Sequence, residues 1–127
     1  MMYRFLSRIV FALFISFSTL AQTVTVKIIE TSDVHGAIFP YDLKENKEIN
    51  SSLARVTTYL KELRADSNQI VFLLDNGDVL QGDPVVYYYN FEKTDTIHLY
   101  ADVMNFMKYD AGTVGNHDIE TGHDVYD

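Results

Sequence analysis

The chain has 127 residues, 47% hydrophobic and 22% charged, the balance of one modest globular domain and not of a disordered tail. With no cysteine it has no disulfide framework, no thiolate zinc site and no cysteine nucleophile. A formal net charge of -8 makes it a poor partner for a nucleic-acid backbone.

The first 21 residues read as a secretory leader. Arg4 and Arg8 form a basic head, residues 9–17 are strongly apolar, and Ser18-Thr19-Leu20-Ala21 supplies small residues before a cut after Ala21. The apolar run is shorter than the roughly 20 residues a spanning helix needs. No cysteine stands there to take a lipid. Export to the periplasm, cell surface or medium is therefore expected, with no membrane contact once the leader is gone. Its removal takes away two arginines and no acid, leaving residues 22–127 more acidic still.

Residues 23–31 alternate and are rich in β-branched types, which predicts a first strand. It ends in the polar turn Ser32-Asp33-Val34-His35-Gly36. Residues 37–50 show no apolar period and read as an irregular loop. Ser51-Ser52 is a helix cap, and Leu53, Val56, Leu60 and Leu63 then fall on one helical face to about Arg64. The apolar run 70–74 predicts a buried second strand that stops on Asp75-Asn76-Gly77-Asp78.

Asp83-Pro84 opens a short helix, an acceptor followed by proline in the first turn. A second helix is predicted from 94–96 to about Lys108, with Ile97, Tyr100, Ala101, Met104 and Met107 on its inner face. The tyrosines 87–89 read as packing residues, since no basic residues flank them. Residues 111–114 form a short third strand closed by Gly115-Asn116-His117-Asp118, after which another helix begins.

Strand, helix, strand, helices, strand is the order of βαβ units, so the fold expected is layered α/β with a parallel sheet. Ligands of such sheets bind beyond the carboxyl ends of the strands. All three polar motifs stand there. Asp33-x-His35 offers an oxygen and an imidazole donor two positions apart, a spacing that points both the same way at a strand end. Asp78 adds a carboxylate able to bridge two ions. Asn116 offers a neutral oxygen, and His117 an imidazole for proton transfer, with Asp118 and Glu120 near enough in sequence to orient it. His98 reads as a surface or packing residue and His123 as a possible neighbour of the site.

The segments Thr31-Ser32-Asp33-Val34-His35-Gly36, Asp75 to Pro84 (DNGDVLQGDP) and Tyr109 to Glu120 (YDAGTVGNHDIE) together resemble the N-terminal part of a calcineurin-like metallophosphoesterase. Within that superfamily they are similar to the secreted 5'-nucleotidase / 2',3'-cyclic phosphodiesterase family. The resemblance runs from about Val26 onward. It implies that Asp33 and His35 bind a first metal, Asp78 bridges two, Asn116 binds the second, and His117 is the catalytic imidazole acting on a phosphate. Asp118 fills the acidic place of the Asn-His-Asp/Glu motif and Glu120 stands where the family carries the histidine's acid partner. The orienting role is open between them.

It further implies two divalent ions, of Mn, Zn, Co or Fe, about 3.5–4 Å apart, and hydrolysis of a nucleotide phosphoester without a covalent phosphoenzyme. The family's remaining histidine ligands, one in a Gly-His-x-His motif, and its nucleoside-gripping domain lie further downstream, so residues 22–127 are expected to be the N-terminal part of a catalytic domain. Two other readings stay open: a secreted metal-binding module without catalysis, and a phosphoesterase of the same fold with a non-nucleotide substrate. A dinucleotide or P-loop fold is disfavoured, because neither G-x-G-x-x-G nor G-x-x-x-x-G-K-[ST] occurs.

Overall fold

The computed structural model describes residues 23–126 together with Tyr3, and the leader expected at 1–21 otherwise lies outside the described residues. Strand β1 (Thr25–Thr31) runs parallel to β4 (Gln69–Asp75), with Thr25 opposite Gln69 and Thr31 opposite Asp75. Strand β5 (Ala111–Gly112) continues the parallel sheet on the far edge of β4, giving the order β1-β4-β5. Parallel neighbours need a crossover, and helices supply both. The architecture is α/β, and all three strands end on the same side.

Helix α1 (Leu53–Arg64) makes the first crossover. Ser52 caps it, its hydroxyl accepting from the Arg55 N–H, and Leu53, Leu60 and Leu63 are buried on the predicted face. Leu53 and Leu60 pack with Leu73 of β4, Ile38, Val79, Tyr100 and Met107 into the core. Leu73 is the centre of that core, with no exposed surface. The opposite face of the sheet sets Val26 beside Ile70 and Ile28 beside Phe72, all four exposed. Among the described residues no helix is long and apolar enough to cross a membrane.

Four local predictions differ from the structure. Residues 37–50 contain a small antiparallel hairpin, β2 (Tyr41–Asp42) and β3 (Lys47–Glu48), instead of an irregular loop. The Asp42 carboxylate accepts from the Lys44 and Glu45 N–H groups, and Asn46 closes the turn at φ 52°. Turn chemistry of this kind leaves no apolar period to read.

After β4, α2 (Pro84–Tyr87) starts on its Asp83 cap as expected, then widens into a π-type turn, Tyr88–Glu92. Helix α3 (Leu99–Met107) begins several residues later than predicted, because its cap is His98. The His98 Nδ1 accepts from the Tyr100 N–H, so its Nε2 carries the proton and donates to Asn90 Oδ1. Burial pushes the His98 pKa down, which favours the neutral ring that this double role requires. His98 is thus a cap and packing residue. Ile97 and Ala101, expected on the inner face, are exposed, while Tyr100 and Met107 are buried.

At the other end of α3, Lys108 turns left-handed at φ 58°. Arg64 donates to the Met107 and Lys108 carbonyls there, satisfying acceptors the helix leaves open. The third strand closes after Gly112, two residues short of prediction. It leads into two four-residue helices, α4 (Asn116–Ile119) and α5 (His123–Tyr126).

Candidate metal centre

Three loops leave the strand ends together: 32–36 after β1, 76–83 after β4 and 113–118 around the start of α4. Their backbones are stitched to one another. Asn76 N donates to Thr31 O at 2.8 Å, Asp33 N to Gly77 O at 3.1 Å and His35 N to Asp78 O at 3.0 Å. From the third loop, His117 N donates to Asp78 Oδ1 at 2.9 Å. A Cβ at Gly115 would collide with that same Asp78 oxygen, so only glycine lets these two loops meet.

The convergence brings every predicted site residue into one region. Asp33 Oδ1 lies 4.0 Å from His35 Nε2. The His35 and His117 rings are 5.6 Å apart between centroids. A side-chain amide atom of Asn116 stands 3.3 Å from Asp78 Oδ2. Asp33 and His35 do not converge by strand alternation, as the spacing suggested. Strand β1 has already ended, and both residues sit in the left-handed region, at φ 53° and 49°.

Asp78 is left-handed as well, at φ 60°. These three candidate ligands are among only five non-glycine residues with positive φ among those described, the others being Asn46 and Lys108. Each such conformation costs about 1–2 kcal/mol in an L-residue. Strain gathered on one constellation is characteristic of a functional site.

Among the described residues no three Asp, Glu or His side chains stand close enough to hold one ion by themselves. The donors fall instead into two pairs, Asp33 with His35 and Asp78 with Asn116. Carboxylate, imidazole and amide oxygen together suit a divalent first-row metal. The Asn116 amide is consistent with this. With its oxygen toward Asp78 Oδ2, two acceptors face each other at 3.3 Å, an arrangement that a shared cation satisfies. With its nitrogen there, the amide donates to Asp78 instead. The residues present therefore have the donor chemistry a divalent metal takes, gathered in two pairs.

The two acids left open for orienting His117 occupy different places. Glu120 Oε2 lies 3.2 Å from His117 Nδ1, and since a carboxylate only accepts, Nδ1 carries the proton. This bond to Glu120 raises the His117 pKa above the ordinary imidazole value, with burial opposing it. Asp118 is buried and points into the β4 loop. Its oxygens accept from the N–H groups of Asp78, Val79 and Leu80, each at 2.8 Å, and of Gly115 at 2.9 Å. Among the described residues no hydrogen bond joins it to the His117 ring. Asp118 thus holds the loop that carries Asp78.

Asp75 is also buried, with Thr31 Oγ1 donating to Oδ1 at 2.8 Å and Gly77 N to Oδ2 at 3.2 Å. Burial pushes its pKa up, against the pull of those two donors. It pins the β1 and β4 strand ends together. The His123 Nε2 lies 3.2 Å from the Tyr126 hydroxyl.

Sequence reasoning missed Gln81, whose side chain donates to Glu120 and whose carbonyl lies against His35. Its only signal was its place between Asp78 and Gly82. A cleft of about 460 Å³ opens beside this group, bordered by Gln81, Tyr87, Asn90, Phe91, His117 and Glu120.

The pattern of the family described as calcineurin-like phosphoesterase matches residues 26–127. The trifunctional nucleotide phosphoesterase protein YfkN of Bacillus subtilis is 38% identical over 114 residues, covering 84% of this chain and 8% of that protein. A 2',3'-cyclic-nucleotide 2'-phosphodiesterase/3'-nucleotidase of Yersinia enterocolitica is 32% identical over 107 residues, covering 82% of this chain and 16% of the other. A snake venom 5'-nucleotidase of Crotalus adamanteus is 32% identical over 109 residues, covering 83% and 17%. The crystal structure of the calcineurin-like phosphoesterase YfkN superposes with a TM-score of 0.69 at 36% identity, covering 80% of this chain and 32% of that one. The chain spans less than a fifth of the length of these curated relatives.

Proposed function

Because the chain belongs to the calcineurin-like phosphoesterase family, we propose that residues 22–127 are the N-terminal part of a catalytic domain that hydrolyses phosphate esters of nucleotides with divalent metal. The reaction is of the 5'-nucleotidase or the 2',3'-cyclic-nucleotide phosphodiesterase/3'-nucleotidase type. The observation that carries the reading is the meeting of three strand-end motifs, with His117 N on Asp78 Oδ1 at 2.9 Å and the His35 and His117 rings 5.6 Å apart.

In this reading Asp33 and His35 hold one ion of Mn, Zn, Co or Fe, Asn116 a second, and Asp78 is shared by both. Bound ions would supply Lewis acidity, offsetting phosphate charge and lowering the pKa of water. Two ions need more donors than these four residues offer, and water, substrate oxygens or further side chains of the full-length protein would supply the rest.

His117 meets the substrate. Glu120 occupies its Nδ1, which leaves Nε2 for an oxygen of the phosphate or of the departing nucleoside. The same carboxylate favours the protonated ring, suited to stabilising developing negative charge. Asp118 acts at a distance from the chemistry by holding the Asp78 loop. The leader layout of residues 1–21 and the similarity to a venom enzyme support export.

The test is hydrolysis by the full-length protein, with and without added divalent ions, of nucleoside 5'-monophosphates, read as free phosphate, and of 2',3'-cyclic nucleotides, read as the ring-opened monophosphate together with any phosphate it then loses. Hydrolysis that is abolished by chelation and restored by metal is expected. Failure to hydrolyse either class with any metal rejects the reading. Metal binding without turnover supports the non-catalytic module in its place. Turnover confined to other phosphoesters moves the substrate class and keeps the chemistry.

A further inference from the structure

Two imidazoles meet at this centre, and an imidazole is useful only when the correct nitrogen faces inward. Which one does so is set by the partner of the other nitrogen. For His35 that partner is the backbone carbonyl of Gln81, 2.9 Å from Nδ1. A carbonyl only accepts, so Nδ1 carries the proton and the Nε2 lone pair is left toward Asp33. For His117 the partner is Glu120, whose Oε2 also accepts from the Gln81 side-chain Nε2 at 2.9 Å.

One residue therefore reaches both rings, through its backbone on one side and its side chain on the other. The chain around it is held to the same purpose. Asp83 N donates to His35 O at 3.0 Å, and Gly82 lies so close that a Cβ there would stand 2.8 Å from the His35 Cβ.

We propose that Gln81 is the positioning residue for both imidazoles: its carbonyl sets the tautomer of His35, and its side-chain amide, acting through Glu120, sets the orientation of His117. The assignment rests on the functional reading above, in which His117 touches the substrate. Glu120 is exposed enough to adopt other rotamers, and without a second donor nothing in the two hydrogen bonds fixes the carboxylate at the angle His117 needs. The Gln81 amide is that second donor.

Backbone and side-chain roles separate by experiment. In the full-length, metal-loaded enzyme, Gln81→Met keeps length and apolar contact but loses the donor. Its kcat is expected to fall about five- to tenfold, the scale of one hydrogen bond to a charged group at a partly exposed site. KM and metal content are expected to stay at wild-type values, because the carbonyl facing His35 remains. Gln81→Glu, which sets a second carboxylate against Glu120, is expected to fall at least as far.

The decisive arm is a double-mutant cycle. On a Glu120→Ala background, Gln81→Met is expected to change kcat no further, since its effect passes through Glu120. Full activity of Gln81→Met, loss of metal in that variant, or independent multiplication of the two effects would overturn the proposal. Wild-type activity of His117→Ala would instead remove the functional reading beneath it. An inactive His117→Ala beside a fully active Gln81→Met would remove the positioning role alone.

Discussion

Replacing Asp118 with alanine is expected to destabilise the full-length protein by about 3–5 kcal/mol, measured as a shift in chemical denaturation. A surface acid seldom costs more than a few tenths of that. Asp118 differs because its carboxylate is 2% exposed and accepts from four backbone N–H groups. Each donor stranded without a partner costs about 1–3 kcal/mol, and water entering the gap recovers part of the sum. Asp118→Asn is no rescue, since its amide nitrogen turns donor against donor.

The pH dependence has a definite sign. Burial alone would raise the Asp118 pKa, but the N–H groups of Leu80, Gly115, Val79 and Asp78 outweigh it and carry the value below the usual carboxylate range. A carboxylate depressed on folding stabilises above its unfolded pKa of about 4, and that contribution drains away as pH falls through the folded value. The gap between wild type and Asp118→Ala is therefore expected to narrow in acid. A change below about 1 kcal/mol at neutral pH would show that the four bonds do not hold the loop.

His117→Ala is expected to lower kcat by about 10²–10⁴, the usual contribution of a positioned acid or base, with metal content unchanged. The imidazole is bound to Glu120 through Nδ1 and is not counted among the ligands, so its loss touches chemistry and spares the ions. Glu120→Gln has a subtler signature. Glu120 raises the His117 pKa, so the protonated ring persists to higher pH in the wild type. Without that charge, the limb on which activity falls with rising pH is expected to move toward lower pH. Loss of metal from His117→Ala would make the residue a ligand and contradict its assigned role.

The parts of this structure legible in the sequence were those with a period or a fixed local chemistry. Helix α1 showed its cap at Ser52 and its buried face at Leu53, Leu60 and Leu63, and the β1 and β4 strand ends were marked by Asp33 and by Asp75 to Asp78. What escaped was set by side-chain and loop contacts that leave no period in the sequence. The His98 ring caps α3 through the Tyr100 N–H, and the tautomer this needs is held by Asn90 in the π-type turn, a pairing that residue type does not signal. The left-handed turns of Asp33 and His35 are imposed by Gly77 and Asp78, more than forty residues on.

The acidic pair after His117 was ambiguous for the same reason. Asp118 and Glu120 are equivalent as residue types beside a histidine. A short helix turns one inward to the backbone of the β4 loop and the other outward to the ring.

The central claim is that Asp78, and not the nearby Asp75, is the shared ligand of a two-metal centre. Metal content of the full-length protein after equilibrium dialysis, compared among wild type, Asp78→Asn and Asp75→Asn, tests it most directly. Asp78→Asn is expected to lose both ions, because an amide cannot offer each of them an anionic oxygen. Asp75→Asn is expected to keep them, since its carboxylate is occupied by Thr31 and the Gly77 N–H. Equal loss in the two variants, or full occupancy in Asp78→Asn, would contradict the account.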